Sequence, residues 1–442
     1  MLTEHQQEVF NQIIPEIETI VKSGGQWDTT VSLIGAAGVG KTYMTTEIIK
    51  ALLQNKVKVT ITTPTHKALK VVKNMLQKEG IVIDSKTIHS FLNLKLKPNF
   101  ENGLQELIMD DFNKNNSRTD VLIVDESSMI CKEMFNYIQT AIRYRRAKCV
   151  LFVGDYFQLP PVTGELNPVF EMKSQYQLTE IVRQAAGNPI IQLATDIRQR
   201  IESQEHTNLR HLVSKYTSDK IRVISDGKEF MSMFLTPKDE NSKWFEKDQI
   251  IASFTNESVD NYNRALRLKY WKDHGYNTDD VPYLMVGDTI IFQEAHIEGD
   301  NIIHANNDIV TVTTAKKILD EETYCWYWEC TDEENLGFRI IDPISKQKYA
   351  KFLSNIASMA NLAKGVDKKN LWEKYYSMKG QYQEIKYSFA STVHKLQGST
   401  FEEAFVDLRG ILQYLNETNY DFIYRLVYVA VTRASDRVTI LI

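Results

Sequence analysis

The segment GAAGVGKT, residues 35–42, carries the most specific chemistry in this 442-residue sequence. Its glycines allow a tight loop that turns backbone N–H groups toward phosphate oxygens without clashes from Cβ atoms. Lys41 is expected to bridge the β- and γ-phosphates of a nucleotide, and Thr42 to ligate Mg²⁺. The strand-like run TTVSLI precedes the loop and a helical pattern follows it, as this motif requires. The nucleotide contacts predicted from this loop are Gly35, Gly38, Val39, Gly40, Lys41 and Thr42.

Two more apolar runs end in polar residues that could complete such a site. VLIVDE ends in Asp125, expected to hold Mg²⁺, and in Glu126, expected to polarise the attacking water. KCVLFVGDYFQLPPV brings Asp155 and Gln158 to the same sheet edge, where Gln158 is placed to sense the γ-phosphate. The alternative for Gln158 is a turn residue before the two prolines.

An arginine is still needed, because a phosphate loop with two carboxylates leaves transition-state charge unneutralised. The candidates are Arg183 and Arg433, because each follows a segment consistent with the packing of a second sheet and could reach the γ-phosphate only when the cleft between two domains closes. The alternative for either side chain is a surface ion pair. The predicted catalytic set is Lys41, Asp125, Glu126, Gln158, Arg183 and Arg433.

The elements that position these residues form an alternating pattern. Continuous apolar runs alternate with helical stretches, at Lys41 to about Gln54 and about His66 to Lys78, which predicts a parallel sheet covered on both faces. The fold class is therefore α/β. A second sheet is predicted from DKIRVI and QIIASFTN, resuming at EIKYSFAST, AFVDL and VTILI.

Two insertions interrupt these sheets. The polar stretch at about 86–118 predicts a hairpin before VLIVDE. Later β-branched and aromatic segments predict a small antiparallel barrel or sheet, followed by helices at about Tyr349–Ala363 and Lys369–Gln383. The predicted domains are 1–175, then 176–285 with 385–442, and an inserted barrel with a helical buttress at 286–384.

Composition narrows the class of protein. A net charge of −5 argues against coating nucleic acid through a global basic field, so any such site must be locally positive. No apolar run approaches the roughly 20 residues of a membrane span, and no signal peptide is evident, so a cytoplasmic protein is expected. The four cysteines are too scattered for a disulfide framework or a zinc site.

Seven short segments in order resemble the motifs of superfamily-one helicases, and specifically their RecD-like branch. They are LTEHQQ, TTPTHKA, TIHSF, GDYFQLPPV, LTEIVR, STVHKLQGST and VYVAVTRA. The branch assignment rests on GDYFQLPPV and HKLQG, which differ from the patterns of the UvrD and Rep branch. The resemblance implies two RecA-like parallel-sheet motor domains, a small hairpin insertion and an SH3-like β-barrel insertion.

The resemblance also implies an activity, namely an ATP-dependent DNA helicase that translocates 5′ to 3′ on single-stranded DNA. ATP with Mg²⁺ would be hydrolysed at the interdomain cleft, with Gln6 reading adenine and Gly398 near the nucleotide. The implied partners are single-stranded DNA, forked or tailed duplex DNA and phage single-strand-binding or replication proteins, with the chain a monomer. The implied DNA contacts are Thr63, Pro64, His66, Lys67, Thr87, His89, Phe91, Thr392, His394 and Lys395. For the histidines, an ordinary hydrogen-bonded structural role is the alternative.

The predicted hairpin is a candidate wedge for strand separation. Phe100, beside Pro98, could stack at the duplex junction, or it could pack against its own hairpin. In the barrel-like insertion, Asn307 and Asp308 tolerate the positive φ of a turn. Four aromatic residues are expected in the barrel core rather than on a DNA platform: Tyr324, Trp326, Tyr327 and Trp328.

Two other functions stay open at this point. The first is a nucleotide-gated switch or loader that grips nucleic acid or a partner without unwinding. The second is a helicase directed at RNA.

Overall fold

The computed structural model describes residues 2–25, 29–100, 103–109, 118–160, 167–182, 187–205, 207–298, 301–413 and 420–442. The chain divides into two compact units. Unit 1 comprises Met1–Asn93, Asp111–Val259 and Ser391–Ile442. Unit 2 comprises Leu94–Asp110 and Asp260–Ala390.

A six-stranded parallel sheet forms the first part of unit 1, in the order β3-β2-β6-β7-β1-β8. Its strands are β1 (Thr30–Gly35), β2 (Val59–Thr63), β3 (Asp84–Thr87), β6 (Val121–Val124), β7 (Cys149–Gly154) and β8 (Gln175–Leu178). β2, β6 and β7 are buried throughout, as continuous apolar runs predict. Its edge strand β8 ends at Leu178, so this sheet extends past residue 175, the predicted end of the first domain.

Side chains cap the start of some helices in this part of the chain. Thr3 forms a capping box with Gln6 at the start of the first helix, and Thr65 accepts a hydrogen bond from the N–H of Ala68 at the start of the third. The helices of this part are α1 (Glu4–Lys22), α2 (Lys41–Gln54), α3 (His66–Lys78), α4 (Ile88–Leu92) and α5 (Lys132–Arg143). The bounds predicted for α2 and α3 are confirmed.

A second sheet has the order β19-β10-β20-β21-β9, and β10, β20, β21 and β9 pair in parallel. Its strands are β9 (Ile221–Ile224), β10 (Gln249–Ser253), β19 (Ala390–Thr392), β20 (Phe401–Asp407) and β21 (Ala434–Leu441). Its helices are α6 (Pro189–Ser203), α7 (Leu209–Ser214), α8 (Gly227–Phe234), α12 (Arg409–Gln413) and α13 (Tyr420–Val431). The predicted α/β class with two parallel sheets is therefore confirmed.

Unit 2 contains antiparallel sheets and two long helices, and helix α9 (Asn256–Asp273) leads into it from unit 1. Its pairings are β4 with β5, β12 with β13, the set β14-β11-β18 and the set β15-β16-β17. The strands are β4 (Leu94–Asn99), β5 (Leu104–Met109), β11 (Thr289–Phe292), β12 (His296–Glu298), β13 (Asn301–His304), β14 (Ile309–Thr311), β15 (Thr314–Leu319), β16 (Trp326–Thr331), β17 (Gly337–Ile341) and β18 (Ile385–Tyr387). Helices α10 (Lys346–Leu362) and α11 (Gly365–Lys379) follow β17.

Two details differ from the sequence predictions. The start of EIKYSFAST does not join the second sheet, because Ile385–Tyr387 pairs with β11 and only Ala390–Thr392 lies in the parallel sheet. The aromatic run is only half core: Tyr327 and Trp328 are buried, but Tyr324 is 67% exposed and Trp326 41% exposed. Tyr327 and Trp328 point to opposite faces of β16, and each packs in a different hydrophobic cluster, whereas Trp326 is the first residue of the strand and Tyr324 precedes it.

The turn at Asn307 has φ of 67°, the left-handed conformation that asparagine was expected to tolerate. Within the ranges given above, none of the helices has the length and apolar character needed to cross a membrane.

Candidate nucleotide site and strand-binding surface

The phosphate loop joins β1 to α2, and its glycines are required by its geometry. Gly38 and Gly40 have φ of 83° and 79°, which only glycine adopts readily. A Cβ on Gly40 would stand 2.6 Å from the Gln6 side-chain nitrogen, and one on Gly35 would stand 2.6 Å from Val39 Cγ2. No side chain caps α2, whose first N–H groups have no acceptor within the helix. These N–H groups suit an anion.

The Lys41 side chain folds back onto the backbone of the phosphate loop. Its Nζ donates to the carbonyl oxygens of Gly35 at 2.7 Å and Ala36 at 2.9 Å, and lies 3.9 Å from Asp155 Oδ2. The next residue, Thr42, is exposed on the first turn of α2. A phosphate entering the loop would offer the ammonium a stronger, charged acceptor than these carbonyls.

The two acids after β6 lie at the carboxyl end of the sheet. Desolvation and the Glu126 carboxylate raise the pKa of Asp125 to about 7, while Lys41 opposes this shift. Glu126 has φ of 52°, a left-handed conformation that is uncommon outside glycine and is often held under strain at functional sites. Asp125, Glu126 and Lys41 are thus close enough to act on one another.

The loop after β7 is fixed by side chains. Asp155 is buried and accepts the Phe157 N–H at 3.0 Å and the Tyr428 hydroxyl at 2.6 Å. Gln158 accepts the Ser128 hydroxyl at 3.2 Å, which connects it to the turn that begins after Glu126. Gln158 therefore contacts the turn that follows Asp125 and Glu126. Contact of Gln158 with a γ-phosphate stays a prediction.

Helix α13, from the second sheet, contacts this site with two polar side chains. Tyr428 binds Asp155 and also accepts the N–H of Ala37, in the phosphate loop, at 2.8 Å. Arg425 donates to the carbonyl oxygens of Tyr156 and Gln158. Helix α13 of the second sheet therefore contacts both the phosphate loop and the loop after β7.

Arg433 follows α13 and is buried. Its guanidinium donates to the carbonyl oxygens of Val429 at 3.0 Å and Ser399 at 2.9 Å. Burial lowers the pKa of Arg433, and the negative charge of Glu126 and of Asp155 opposes this shift. Arg433 is thus a neighbour of the acidic groups rather than a surface ion-pair partner.

The second predicted arginine, Arg183, lies outside the described residues. The residue before it, Val182, donates its N–H to the Gly38 carbonyl at 3.0 Å. The LTEIVR segment therefore contacts the phosphate loop through Val182.

Gln6 contacts the phosphate loop, whereas Gly398 lies near Ala68 of α3. The Gln6 amide is buried, donates to the Val39 carbonyl at 2.8 Å and accepts the Thr3 N–H at 3.0 Å. Gly398 has φ of 71°, and a Cβ there would touch Ala68 at 3.4 Å. Gln6 thus supports the loop directly, while adenine recognition by Gln6 stays a prediction.

Three of the predicted DNA contacts are buried. Phe91 is fully buried with its ring 5.0 Å from the Arg146 guanidinium, so the expected stacking of Phe91 on a base is wrong for this structure. Thr63 donates to the Thr65 carbonyl, and Thr87 caps α4. These hydroxyls shape the two loops, because their local acceptors and donors already occupy them.

Other predicted contacts do lie together. His66 lies near His89, and desolvation together with His66 lowers the pKa of His89. Lys67 is half-buried with its Nζ 4.9 Å from the centre of the Phe401 ring. Desolvation and Arg433 lower the pKa of Lys67 to about 8. Lys67 therefore faces the second sheet and Arg433 rather than open solvent.

The remaining contacts are half-buried at accessible positions: Pro64, Thr392, His394 and Lys395. His394 lies 5.9 Å from the Phe422 ring, and burial lowers its pKa.

Sequence reasoning missed Tyr428 and Arg425 as parts of the site. Both lie in the apolar helix YDFIYRLVYVAV, and nearly every residue of that helix is buried. A tyrosine hydroxyl and a guanidinium inside such a helix must find polar partners. The sequence therefore already indicated that Tyr428 and Arg425 would bind polar groups of another segment.

Comparison with known proteins agrees with this geometry. Two family models match the chain: an AAA domain over residues 19–164, and a UvrD-like helicase C-terminal domain over residues 387–441. The ATP-dependent DNA helicase dda of Enterobacteria phage T4 is 29% identical over 465 residues, covering 98% of this chain and 97% of that protein. The ATP-dependent DNA helicase Pif1 of Campylobacter jejuni is 28% identical over 188 residues, 40% of each.

Among solved structures, Pif1 from Bacteroides in complex with ADP-AlF3 and single-stranded DNA matches with a TM-score of 0.50. The match covers 99% of this chain and 92% of the Pif1 chain, at 16% sequence identity. This level of identity supports a shared fold only. The two parallel sheets fit the two RecA-like domains of that fold. The resemblance read from the motifs is confirmed: the chain is a superfamily-one helicase of the Dda and Pif1 type, an ATP-hydrolysing enzyme.

Proposed function

We propose that this chain hydrolyses ATP between its two parallel sheets to translocate 5′ to 3′ on single-stranded DNA and separate duplex strands. The observation that carries the proposal is the contact of α13 with the phosphate loop and with Asp155. A nucleotide that changes this contact would move one sheet against the other, which is how hydrolysis becomes motion.

The residues present fit ATP with Mg²⁺. The Thr42 hydroxyl and the Asp125 carboxylate are oxygen donors, the type that Mg²⁺ prefers. When bound, the cation would neutralise phosphate charge and favour the ionised form of Asp125. Lys41 would exchange its two carbonyl acceptors for phosphate oxygens, and the N–H groups at the start of α2 would hold the other oxygens.

Hydrolysis then needs an oriented water and stabilisation of developing charge. The Glu126 carboxylate would accept a hydrogen bond from the attacking water. Arg433 would turn one edge of its guanidinium toward the γ-phosphate while keeping some carbonyl contacts, because the group carries five N–H donors. Val429 lies in α13 and Ser399 in the loop before β20, so the position of Arg433 would follow that of the second sheet and its helix.

The DNA path would run over accessible residues of the two sheets. His66 and His89 on the first sheet, and His394 and Lys395 on the second, are the contacts we retain. Lys395 would supply a local positive charge even though the whole chain carries −5, and the neutral imidazoles of His89 and His394 could donate ring N–H groups to phosphates. The proposal takes forked or tailed duplex as substrate, a monomer as the working unit, the cytoplasm as its location, and phage single-strand-binding or replication proteins as partners.

Polarity is tested by strand displacement from duplexes with one single-stranded tail. We expect ATP-dependent displacement of the labelled strand from a 5′-tailed duplex and little from a 3′-tailed one. Displacement only from the 3′-tailed duplex would reverse the direction. ATP hydrolysis without displacement from either duplex would instead favour a nucleotide-gated switch, and stronger stimulation of hydrolysis by RNA would favour an RNA helicase.

We further propose that β4 and β5 form the wedge and that the small antiparallel sheets of unit 2 form an SH3-like barrel. The turn end of β4 and β5 packs closely on α11: the Tyr376 hydroxyl donates to the Gly103 carbonyl at 2.7 Å, and a Cβ on Gly103 would clash with Trp372. Lys369 lies 5.9 Å from the Phe100 ring. A supported turn can press on a duplex junction without giving way.

Replacing Phe100 with alanine tests the wedge. We expect the strand displacement rate of Phe100→Ala to fall about 10-fold, because loss of stacking on a base removes about 1 to 3 kcal/mol. DNA-stimulated ATP hydrolysis should stay within about twofold. The matched control is Ile344→Ala, which shortens an exposed apolar side chain of unit 2 outside β4 and β5. Equal losses of displacement and hydrolysis, or equal effects of both variants, would contradict the wedge.

A further inference from the structure

One tyrosine hydroxyl joins three parts of the nucleotide site. Tyr428 Oη donates to Asp155 Oδ2 at 2.6 Å and accepts the N–H of Ala37 at 2.8 Å. Ala37 belongs to the phosphate loop and Asp155 follows β7, both on the first sheet, whereas Tyr428 lies on α13 of the second. The phosphate loop and the loop after β7 therefore both contact the hydroxyl oxygen of Tyr428, on helix α13 of the second sheet.

The charges around this hydroxyl make the contact stronger than an ordinary hydrogen bond. Asp155 is buried, and its carboxylate also faces Lys41 Nζ at 3.9 Å. Hydrogen bonds to ionised groups in such surroundings are about twice as strong as neutral ones. Burial and Asp155 both raise the pKa of Tyr428, which keeps the hydroxyl protonated as the donor. The hydroxyl thus fixes the carboxylate that faces the phosphate-binding lysine.

The same helix controls the arginine. Arg433 Nε donates to the carbonyl of Val429, the residue after Tyr428, and the Thr432 N–H donates to the Tyr428 carbonyl. Arg433 is therefore attached to the last turn of α13. A shift of Tyr428 relative to the phosphate loop would therefore be expected to move Arg433 as well.

We propose that Tyr428 is a positioning residue for hydrolysis. Its hydroxyl holds Asp155 and the phosphate loop in register with α13, and thereby sets where Arg433 meets the γ-phosphate. It touches no reacting atom and acts through Asp155 and Arg433. This inference rests on the ATP-driven helicase proposed above. It adds a residue that positions other side chains for the hydrolysis step.

The test removes only the hydroxyl. In Tyr428→Phe the ring keeps its edge contact with Phe157, whose centre lies 6.4 Å away. We expect kcat for DNA-stimulated ATP hydrolysis to fall about 10-fold, the effect of losing one hydrogen bond to a charged group. The KM for ATP should change less than about twofold, because the interaction matters in the transition state rather than in ground-state binding.

Helix α13 offers a matched control one turn earlier. Tyr424 is equally buried, but its hydroxyl donates to the Thr207 carbonyl at 2.7 Å, away from the nucleotide site. We expect Tyr424→Phe to lower the melting temperature about as much as Tyr428→Phe while keeping kcat within about twofold. A merely structural role for Tyr428 would instead give the two variants the same kinetics.

A double-mutant cycle identifies the route of action. If Tyr428 acts through Asp155, then Tyr428→Phe should cost less than about twofold in kcat when Asp155→Asn is already present. Independent, multiplying losses would overturn the inference, as would equal kinetics of the two tyrosine variants. If the unaltered chain showed no DNA-stimulated hydrolysis, the proposed function itself would fail. Normal hydrolysis with indistinguishable tyrosine variants would remove the positioning role alone.

Discussion

Lys41→Ala is expected to abolish ATP hydrolysis and strand displacement while leaving single-stranded DNA binding nearly unchanged. The ammonium is the one side-chain cation that the phosphate loop itself contributes, and it lies against the loop carbonyls of Gly35 and Ala36. Its removal takes away a preorganised charge where the transition state becomes more negative, a loss of about 10²- to 10³-fold or more in kcat. Coupled-enzyme hydrolysis, displacement of a labelled strand and fluorescence anisotropy of a bound oligonucleotide measure the three quantities.

The control for this variant is Lys50→Ala, on the same helix. Lys50 pairs with Glu47 and Glu79 near the surface, so its loss should leave kcat within about twofold. Strand displacement retained by Lys41→Ala would overturn the motor interpretation. Loss of DNA binding by Lys41→Ala, with a normal melting temperature, would mean that the loop also grips the strand.

Arg433→Lys should lower kcat for DNA-stimulated hydrolysis by about 10³-fold, the low end of the effect of an arginine finger. Lysine keeps the charge but cannot present a planar set of N–H donors to phosphate and carbonyls together. The variant should also lose about 1 to 3 kcal/mol of stability, because the carbonyls of Val429 and Ser399 lose buried donors. Rapid-quench hydrolysis at saturating ATP, with a urea melt alongside, separates the two losses.

Arg437→Lys is the matched control, on the strand that follows. Arg437 pairs with Glu403 at 2.7 Å and lies about one-third exposed, so we expect normal hydrolysis there. A kcat for Arg433→Lys within about tenfold of the unaltered chain would remove Arg433 from the catalytic set. Arg183 would then be the remaining candidate.

The local parts of this structure were predictable because local chemistry specifies them. A glycine-rich loop between an apolar strand and a helical pattern has essentially one solution, so Gly38, Gly40 and the start of α2 lie where the motif puts them. Asp125 and Asp155 follow from the rule that parallel strands end at one edge. The start of α3 follows from its cap, Thr65.

Contacts between distant segments were not predictable in the same way. Phe91 ends the motif TIHSF, yet its ring is buried beside Arg146, which lies 55 residues away in sequence. Lys67 was expected on the DNA and instead lies over Phe401 of the other sheet. Only the tertiary fold decides which face of a short loop is covered, since neither propensity nor spacing encodes that choice.

The division of the second sheet has a consequence for how the enzyme is made. The first sheet has all its strands once Leu178 has been synthesised, so it can fold while synthesis continues. The second sheet must wait for β20 and β21, which come long after β10. Tyr428 therefore reaches the phosphate loop late in synthesis. If the proposed site is correct, a nascent chain would be able to bind a nucleotide before it could hydrolyse one.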